Sequence, residues 1–337
     1  MGNNRSAGDC GSDQLGGPPR SLRNRAPGPI LDGMHLNVLD PPKPSGRRLP
    51  PWLRKSLHSG EALLRTREIV SRSGVATVCE EARCPNLNEC WSHRHATFMI
   101  LGDHCTRKCG FCAVTTAPPR PPEPDEPARL AQAVAALGLR HVVITAVARD
   151  DLDDEGAGHF AACVRAIREA APDTAIEVLP ADFHARDDCL DTLCDARPDI
   201  YNHNVETVER LTPTVRSRHA RYAQSLEVFT KVRRRLPDAY TKSGIMVGLG
   251  ETRDELTQTL RDLRAHDVDI LTVGQYLRPT PQHLPVVRYY EPAEFDEIAA
   301  EARAMGFASV ASGPFVRSSY NAGDVYSTIA DRRRSAR

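Results

Sequence analysis

The sequence has no excess of charge of either sign and no long apolar run. Its 337 residues contain 44 Lys and Arg against 44 Asp and Glu, so the formal net charge at pH 7 is zero. Balanced charge argues against a general nucleic-acid binder, because such proteins neutralise phosphates with surplus basic residues. No stretch approaches the roughly 18 apolar residues of a membrane span, and no basic run followed by an apolar segment opens the chain. We therefore expect a cytoplasmic protein that binds neither membrane nor nucleic acid.

The unusual feature of an otherwise ordinary globular composition is a set of ten cysteines. In a reducing compartment disulfides are disfavoured, so clustered cysteines indicate metal ligands or catalytic groups. Four are scattered and read as incidental: Cys10, Cys163, Cys189 and Cys194. Six lie close together in the sequence: Cys79, Cys84, Cys90, Cys105, Cys109 and Cys112.

The chain divides into a first part without periodic pattern and a long β/α part. Residues 1–50 are rich in proline and glycine and predict a flexible extension. Short β-branched runs then alternate with helical patterns, which is typical of a parallel sheet, open or barrel-shaped, with functional residues at the carboxyl ends of strands. The predicted strands are 97–101, 141–147, 175–179, 199–204, 241–247, 270–275 and 307–311. The predicted helices are 127–137, 157–170, 222–235, 252–265 and 293–305.

The six clustered cysteines form two sets with different spacings. Cys105-x3-Cys109-x2-Cys112 directly follows the first predicted strand. Structural zinc sites normally close with four ligands, whereas three thiolates on a 4Fe–4S cube leave one iron open for a substrate or cofactor. Cys79-x4-Cys84-x5-Cys90 lies in a polar segment and indicates a second cluster. The alternatives are buried structural thiols, or zinc sites completed by one of three histidines: His93, His95 or His104.

The loop from Cys105 to Cys112, with Phe111 before its last cysteine, resembles the signature of radical S-adenosylmethionine (SAM) enzymes. The preceding triplet is similar to the auxiliary-cluster motif of lipoyl synthases. Further similar segments are Pro51-Trp52-Leu53-Arg54, Arg149-Asp150-Asp151-Leu152, Tyr201-Asn202-His203-Asn204-Val205-Glu206-Thr207, 243–251, 274–280 and Arg317-Ser318-Ser319-Tyr320.

This resemblance implies a partial (β/α)6 barrel of the TIM type that binds two 4Fe–4S clusters and SAM. The barrel would span 97–312. An auxiliary-cluster segment at 51–96 would precede it, and a segment at 313–337 carrying the Arg-Ser-Ser-Tyr motif would return across the barrel mouth. Both extensions are expected to cover the mouth.

The resemblance also assigns roles to residues. Cys105, Cys109 and Cys112 would hold the cluster that cleaves SAM, and Cys79, Cys84 and Cys90 would hold the cluster that donates sulfur. Ser319 would complete the second set, with Ser318 as the alternative. SAM contacts would come from Phe111, Asn204, Glu206 and Gly248, and less strongly from Thr145 and Arg216. Judged by residue type alone, Asn204 and Glu206 also fit a helix cap and its dipole partner.

The implied reaction inserts two sulfur atoms into an octanoyl-lysine on a carrier protein and yields lipoyl-lysine. The carriers would be the glycine cleavage H protein and the E2 subunits of 2-oxoacid dehydrogenases, with ferredoxin or flavodoxin as electron donor. Rival interpretations are a biotin-synthase-like enzyme and a non-catalytic iron–sulfur carrier. Ala146 and Ala148 replace polar residues usual in the family, and 154–156 departs from its Gly-Gly, so a divergent paralogue stays open.

Overall fold

The computed structural model describes residues 49–55, 59–320, 322, 323 and 326. The extension predicted at 1–50 thus lies outside the described residues, apart from 49 and 50, and so does most of the chain after 320. The strands are β1 (Ala76–Thr77), β2 (Thr97–Ile100), β3 (His104–Cys105), β4 (Thr115–Thr116), β5 (His141–Ala146), β6 (Ala175–Leu179), β7 (Ile200–Asn202), β8 (Tyr240–Val247), β9 (Ile270–Gln275) and β10 (Ser309–Gly313).

Helices separate most of these strands. They are α1 (Glu61–Ser73), α2 (Val78–Glu81), α3 (Leu87–Ser92), α4 (Glu126–Leu137), α5 (Ala157–Ala170), α6 (Asp187–Cys194), α7 (Thr212–Val215), α8 (Tyr222–Arg235), α9 (Arg253–Ala265) and α10 (Pro292–Ala304). Short 3-10 turns occur at Pro51–Leu53, Phe183–Ala185 and Glu209–Leu211.

One sheet organises the chain, with the strand order β1-β2-β5-β6-β7-β8-β9-β10. Strand β1 pairs antiparallel with β2, and every later neighbour in this sheet is parallel. Because β2 and β5–β9 are each followed by a helix, the chain contains the six β/α units predicted from its sequence. Within the described residues β1 and β10 are the two ends of the sheet, so the barrel is partial.

Alternation along the strands separates an outer face from an inner face. On β5, Val142 and Ile144 are buried in an apolar cluster with Phe160 of α5. His141 and Val143 instead line a cavity on the other face. The helices therefore cover the outer face, and the inner face is left for a site.

A buried ion pair lies on three strands of the sheet. Lys242 Nζ of β8 lies 2.9 Å from Glu177 Oε1 of β6, and Asn202 Nδ2 of β7 donates to the same oxygen at 2.7 Å. Burial opposes ionisation of Glu177, but Lys242 and His141 outweigh it and lower the pKa of Glu177 to about 2. The carboxylate is therefore charged and fully partnered inside the protein.

Candidate active site

The first cysteine set lies on the loop that follows β2, and backbone N–H groups surround its sulfurs. Arg107 N and Ala148 N donate to Cys105 Sγ at 3.4 and 3.3 Å. Ser217 N donates to Cys109 Sγ at 3.3 Å. Such N–H···S bonds stabilise thiolates and tune the potential of a cluster that they hold.

The backbone contact at Ala148 bears on the departure from the family pattern. Ala148 N reaches Cys105 Sγ, and Ala148 O accepts from both Thr106 N and Thr106 Oγ1, at 3.1 and 2.9 Å. None of these bonds needs a side chain at 148. The loop is therefore ordered even though a polar residue has been replaced by alanine.

Arg107 is part of the same loop, and its side chain holds the loop in place. This role was not predicted from the sequence. Its guanidinium donates to Asp150 in the segment after β5 and, at 2.8 Å, to Asp182 Oδ1 after β6. Burial opposes the charge on Arg107, but the two carboxylates outweigh it and raise its pKa further. Its position between Cys105 and Cys109 was the only feature of the sequence that pointed to this role, since its carboxylate partners lie far away in the sequence.

The pKa values of the buried thiols bear on what the first site can bind. Burial, with a smaller like-charge contribution from Cys109 and Cys105, raises the pKa of Cys112 to about 12. Burial likewise raises the pKa of Cys109, where Ser217 N and Arg216 oppose it. Thiolates at Cys109 and Cys112 are therefore unfavourable here unless a cationic centre compensates them, as bound iron would.

Asn204 and Glu206 follow β7 and lie near the first cysteine set. Glu206 has a left-handed backbone (φ 68°) and forms a bridge to β8, where its N donates to Gly244 O at 3.1 Å. Burial raises the pKa of Glu206, while Arg216 and Asn204 lower it, and its charge in turn raises the pKa of Cys109. Asn204 Oδ1 is buried without a hydrogen-bond partner. An unpaired acceptor beside a carboxylate fits a ligand that carries hydroxyl donors, such as a ribose.

The other residues expected to contact SAM have contacts within the protein. Gly248 (φ 99°) donates its N–H to Glu251 Oε1 at 2.6 Å and accepts from Val287 N at 2.9 Å. A Cβ at Gly248 would lie 2.6 Å from the backbone oxygen of Arg288, so packing alone requires glycine there. Thr145 Oγ1 donates to Leu179 O at 2.7 Å. Phe111 packs against an apolar cluster beside the loop. Their roles toward SAM stay predictions.

The second cysteine set comes together around another cavity. Cys79 lies in α2, Cys90 lies in α3, and Cys84 lies between the two helices. All three line one cavity together with Ser319 and Arg317 from the C-terminal segment. Burial and neighbouring thiols together raise the pKa of Cys79 to about 11 and that of Cys90 to about 12. The donor set is three thiols and one hydroxyl, and thiolates at Cys79 and Cys90 would need a compensating cation.

The path of the C-terminal segment explains how Ser319 reaches this cavity. After β10 the chain turns back, and Val316 O lies so near Gly274 of β9 that a Cβ there would be 2.1 Å from it. The cavity is also lined by Thr97 and His141, the first residues of β2 and β5. The second set thus lies toward the amino ends of these strands, whereas the Cys105 loop follows the carboxyl end of β2.

The spacing of possible ligand atoms bears on the zinc alternative. A tetrahedral zinc ion with bonds of about 2.3 Å to sulfur needs ligand atoms within roughly 4 Å of one another. In the described part of the chain, the one group of three or more His, Cys, Asp or Glu with ligand atoms within 4.8 Å is Asp150, Glu155 and His184. Arg107 donates to Asp150, and its Nη2 lies 3.9 Å from Glu155 Oε2, so a cation already occupies that group. Among the described residues, neither cysteine set brings three ligand atoms within 4.8 Å of one another.

Comparison with known proteins places this site in a class. Residues 99–263 match the family model described as the Radical SAM superfamily. HydG, the FeFe-hydrogenase maturase from Carboxydothermus hydrogenoformans, aligns with a TM-score of 0.50 at 14% identity over 74% of this chain and 64% of its own. SuiB from Streptococcus suis, bound to its precursor peptide SuiA, aligns with a TM-score of 0.50 at 12% identity over 68% and 52%. The fold and the three-cysteine loop define a radical SAM enzyme.

Relatives of much higher identity narrow the class. The lipoyl synthase of Oceanobacillus iheyensis is 53% identical over 85% of this chain and 91% of its own length. That of Rubrobacter xylanophilus is 50% identical over 93% and 97%. That of Methylococcus capsulatus is 55% identical over 82% and 85%. The chain belongs to the lipoyl synthase family.

The structure also bears on membrane association. Within the described ranges, no helix combines the length and apolarity needed to cross a bilayer.

Proposed function

We propose that this enzyme converts a protein-bound octanoyl-lysine into lipoyl-lysine and that it uses two 4Fe–4S clusters with separate tasks. The observation that carries the proposal is the pair of cysteine sets at different ends of the same strands. Family membership supports the radical SAM cluster and SAM, and the second donor set supports the second cluster. An acyl chain lying along the inner face of the sheet would have one site near each end.

The residues of the first site have distinct tasks in this proposal. Cys105, Cys109 and Cys112 would hold a cluster that, with SAM, supplies an electron for cleavage to a 5′-deoxyadenosyl radical. Asn204 Oδ1 and the Glu206 carboxylate would accept hydrogen bonds from the SAM ribose. Arg107, buried against Asp150 and Asp182, would keep the loop rigid.

The second site is built to hold a cluster less firmly. Cys79, Cys84 and Cys90 would supply thiolates, and Ser319 would supply an oxygen donor. Of the two adjacent serines, Ser319 lines the cavity. Oxygen is a harder ligand than sulfur and suits an iron–sulfur core less well, so this position would be released most easily. Easy release fits a cluster that gives up its sulfur.

The substrate carrier would dock on a basic part of the surface. Lipoyl carrier domains such as the glycine cleavage H protein and E2 subunits are the proposed partners, with ferredoxin or flavodoxin as electron donor. Arg218 and Arg221 are exposed beside the first site, whereas Arg216 donates to Ser225 Oγ at 2.7 Å and lowers the pKa of Glu206. We therefore assign docking to Arg218 and Arg221 rather than Arg216.

Iron content tests the two-cluster proposal. Anaerobic reconstitution should load about eight irons per chain, and replacing Cys79, Cys84 and Cys90 together by alanine should leave about four. The matched control replaces Cys163, Cys189 and Cys194, which are buried and lie outside both sets, and should retain about eight. About four irons in the intact protein would contradict the proposal and favour a single-cluster enzyme.

A further inference from the structure

Glu89 connects the two segments that form the second site. It lies on α3 next to Cys90, and its Oε1 accepts a hydrogen bond from Tyr320 Oη at 2.9 Å. Tyr320 follows Ser319 directly. One hydrogen bond therefore ties the neighbour of the serine to the neighbour of a cysteine.

Lys55 adds a third segment to this contact. Its Nζ is paired with Glu89 Oε2 and lies 5.1 and 5.4 Å from the ring centroids of Phe315 and Tyr320. A cation over aromatic faces is attracted by the ring quadrupole. The side chains of Lys55 and Glu89 are 23% and 21% exposed, so the contact lies at the surface and can open without unfolding the core.

Asn86 fixes the start of the returning segment. Its Nδ2 donates to Phe315 O at 2.7 Å, and its side chain lines the cavity of the second site. The three cysteines come from one continuous stretch, whereas Ser319 comes from more than 200 residues further along. The serine is therefore the donor whose position depends most on contacts between segments.

We infer that Lys55, Glu89 and Tyr320 form a clamp that holds Ser319 at the second site and controls how fast that site loses iron. The inference rests on the proposed function, because it takes the second cavity as a cluster site. The three are positioning residues, since none of them is a proposed ligand. Opening the clamp would free the hydroxyl donor first and expose the iron beneath it to solvent, chelator or a repair protein.

Iron release to a ferrous chelator tests the clamp. The full-length chain with Cys105, Cys109 and Cys112 replaced by alanine would carry iron only at the second site. In this background Tyr320→Phe, Glu89→Gln and Lys55→Gln should each release iron about tenfold faster, since each removes a contact to a charged partner. Lys55→Arg keeps the charge and the aromatic contact, and should restore the slow rate.

The control is Tyr222→Phe, which removes a comparable phenol-to-carboxylate bond, 2.9 Å from Asp262 Oδ2, far from this cavity. It should leave the rate unchanged. In the converse background, with Cys79, Cys84 and Cys90 replaced, Tyr320→Phe should not change iron release from the first site. Equal rates for Tyr320→Phe and the parent, or equal acceleration at both sites, would overturn the clamp and leave the proposed function standing. Intact protein that binds only about four irons would overturn both.

Discussion

Arg107 illustrates how a single residue can determine the shape of a catalytic loop. The Arg107 guanidinium is 5% exposed and pairs with Asp150 and with the fully buried Asp182. These two carboxylates follow different strands, β5 and β6, and together they fix one side chain of the loop. Lysine could not reproduce this arrangement, because an ammonium lacks the planar fork that pairs with two carboxylates at once. The loop geometry thus depends on a residue whose side chain is not itself a proposed ligand of the cluster.

Replacing Arg107 should therefore destabilise the protein. Arg107→Gln leaves two carboxylates without their cation, and we expect a loss of about 3 kcal/mol in the free energy of unfolding. Denaturant unfolding of the anaerobic protein measures it. Arg72→Gln, which breaks an exposed pair with Glu68, is the control and should change little. If both variants lost the same free energy of unfolding, the buried network would contribute no more stability than an exposed ion pair.

Glu206 should determine the affinity for SAM rather than the binding of iron. Glu206→Gln keeps the shape but removes the charge that accepts from ribose hydroxyls, and we expect SAM to bind about tenfold more weakly. Equilibrium binding of SAM to the reconstituted protein measures this, with iron content as the internal control. An unchanged affinity for SAM would mean that Glu206 is only a turn residue beside β8 and does not bind SAM.

At the scale of elements, the return of the C-terminal segment past β9 brings Ser319 to the cysteines. Gly274 makes room for it, because a Cβ there would lie 2.1 Å from the backbone oxygen of Val316. A backbone atom cannot move aside as a flexible side chain can, so the whole segment would have to shift.

We therefore expect Gly274→Ala to disturb the second site selectively. The shifted segment should lower the iron retained at that site, while SAM binding at the first site persists. Gly313→Ala is the matched control, because its Cβ would meet only Val316 Cγ2 at 3.4 Å, an ordinary contact. Iron counts after gel filtration under anaerobic conditions report the difference. Full retention in Gly274→Ala would mean that the close approach is not needed to hold Ser319.

Elements with a strong local pattern were predictable, and those held by distant contacts were not. The predicted helix 157–170 coincides with Ala157–Ala170, and the predicted strand 270–275 with Ile270–Gln275. Helix α6 (Asp187–Cys194) was missed because only eight residues carry its pattern, and tertiary packing of its apolar side stabilises it. The grouping of the six cysteines into two sets was predictable from their spacing alone, and their role as ligands stays a prediction. Lys55 and Glu89 were not predicted, because they contact Tyr320 only after three distant segments of the chain have come together in the fold.

At the scale of the whole molecule, the strands separate the two proposed clusters and provide the surface between them. The Cys105 loop follows the carboxyl end of β2, and Thr97, at the amino end of the same strand, lines the second cavity. Such an arrangement suits a reaction in which one site generates a radical on an extended chain and the other supplies the atom that replaces the lost hydrogen.

Mass spectrometry of the carrier tests the central claim most directly. The protein is reconstituted with isotopically heavy sulfide and incubated anaerobically with an octanoylated carrier domain, SAM and a reductant, with light sulfur elsewhere. We predict that the carrier gains two heavy sulfur atoms as a dithiol, with no net loss of hydrogen under these reducing conditions, for at most one carrier per enzyme chain. A carrier that keeps its octanoyl mass, or that gains only light sulfur, would contradict the account.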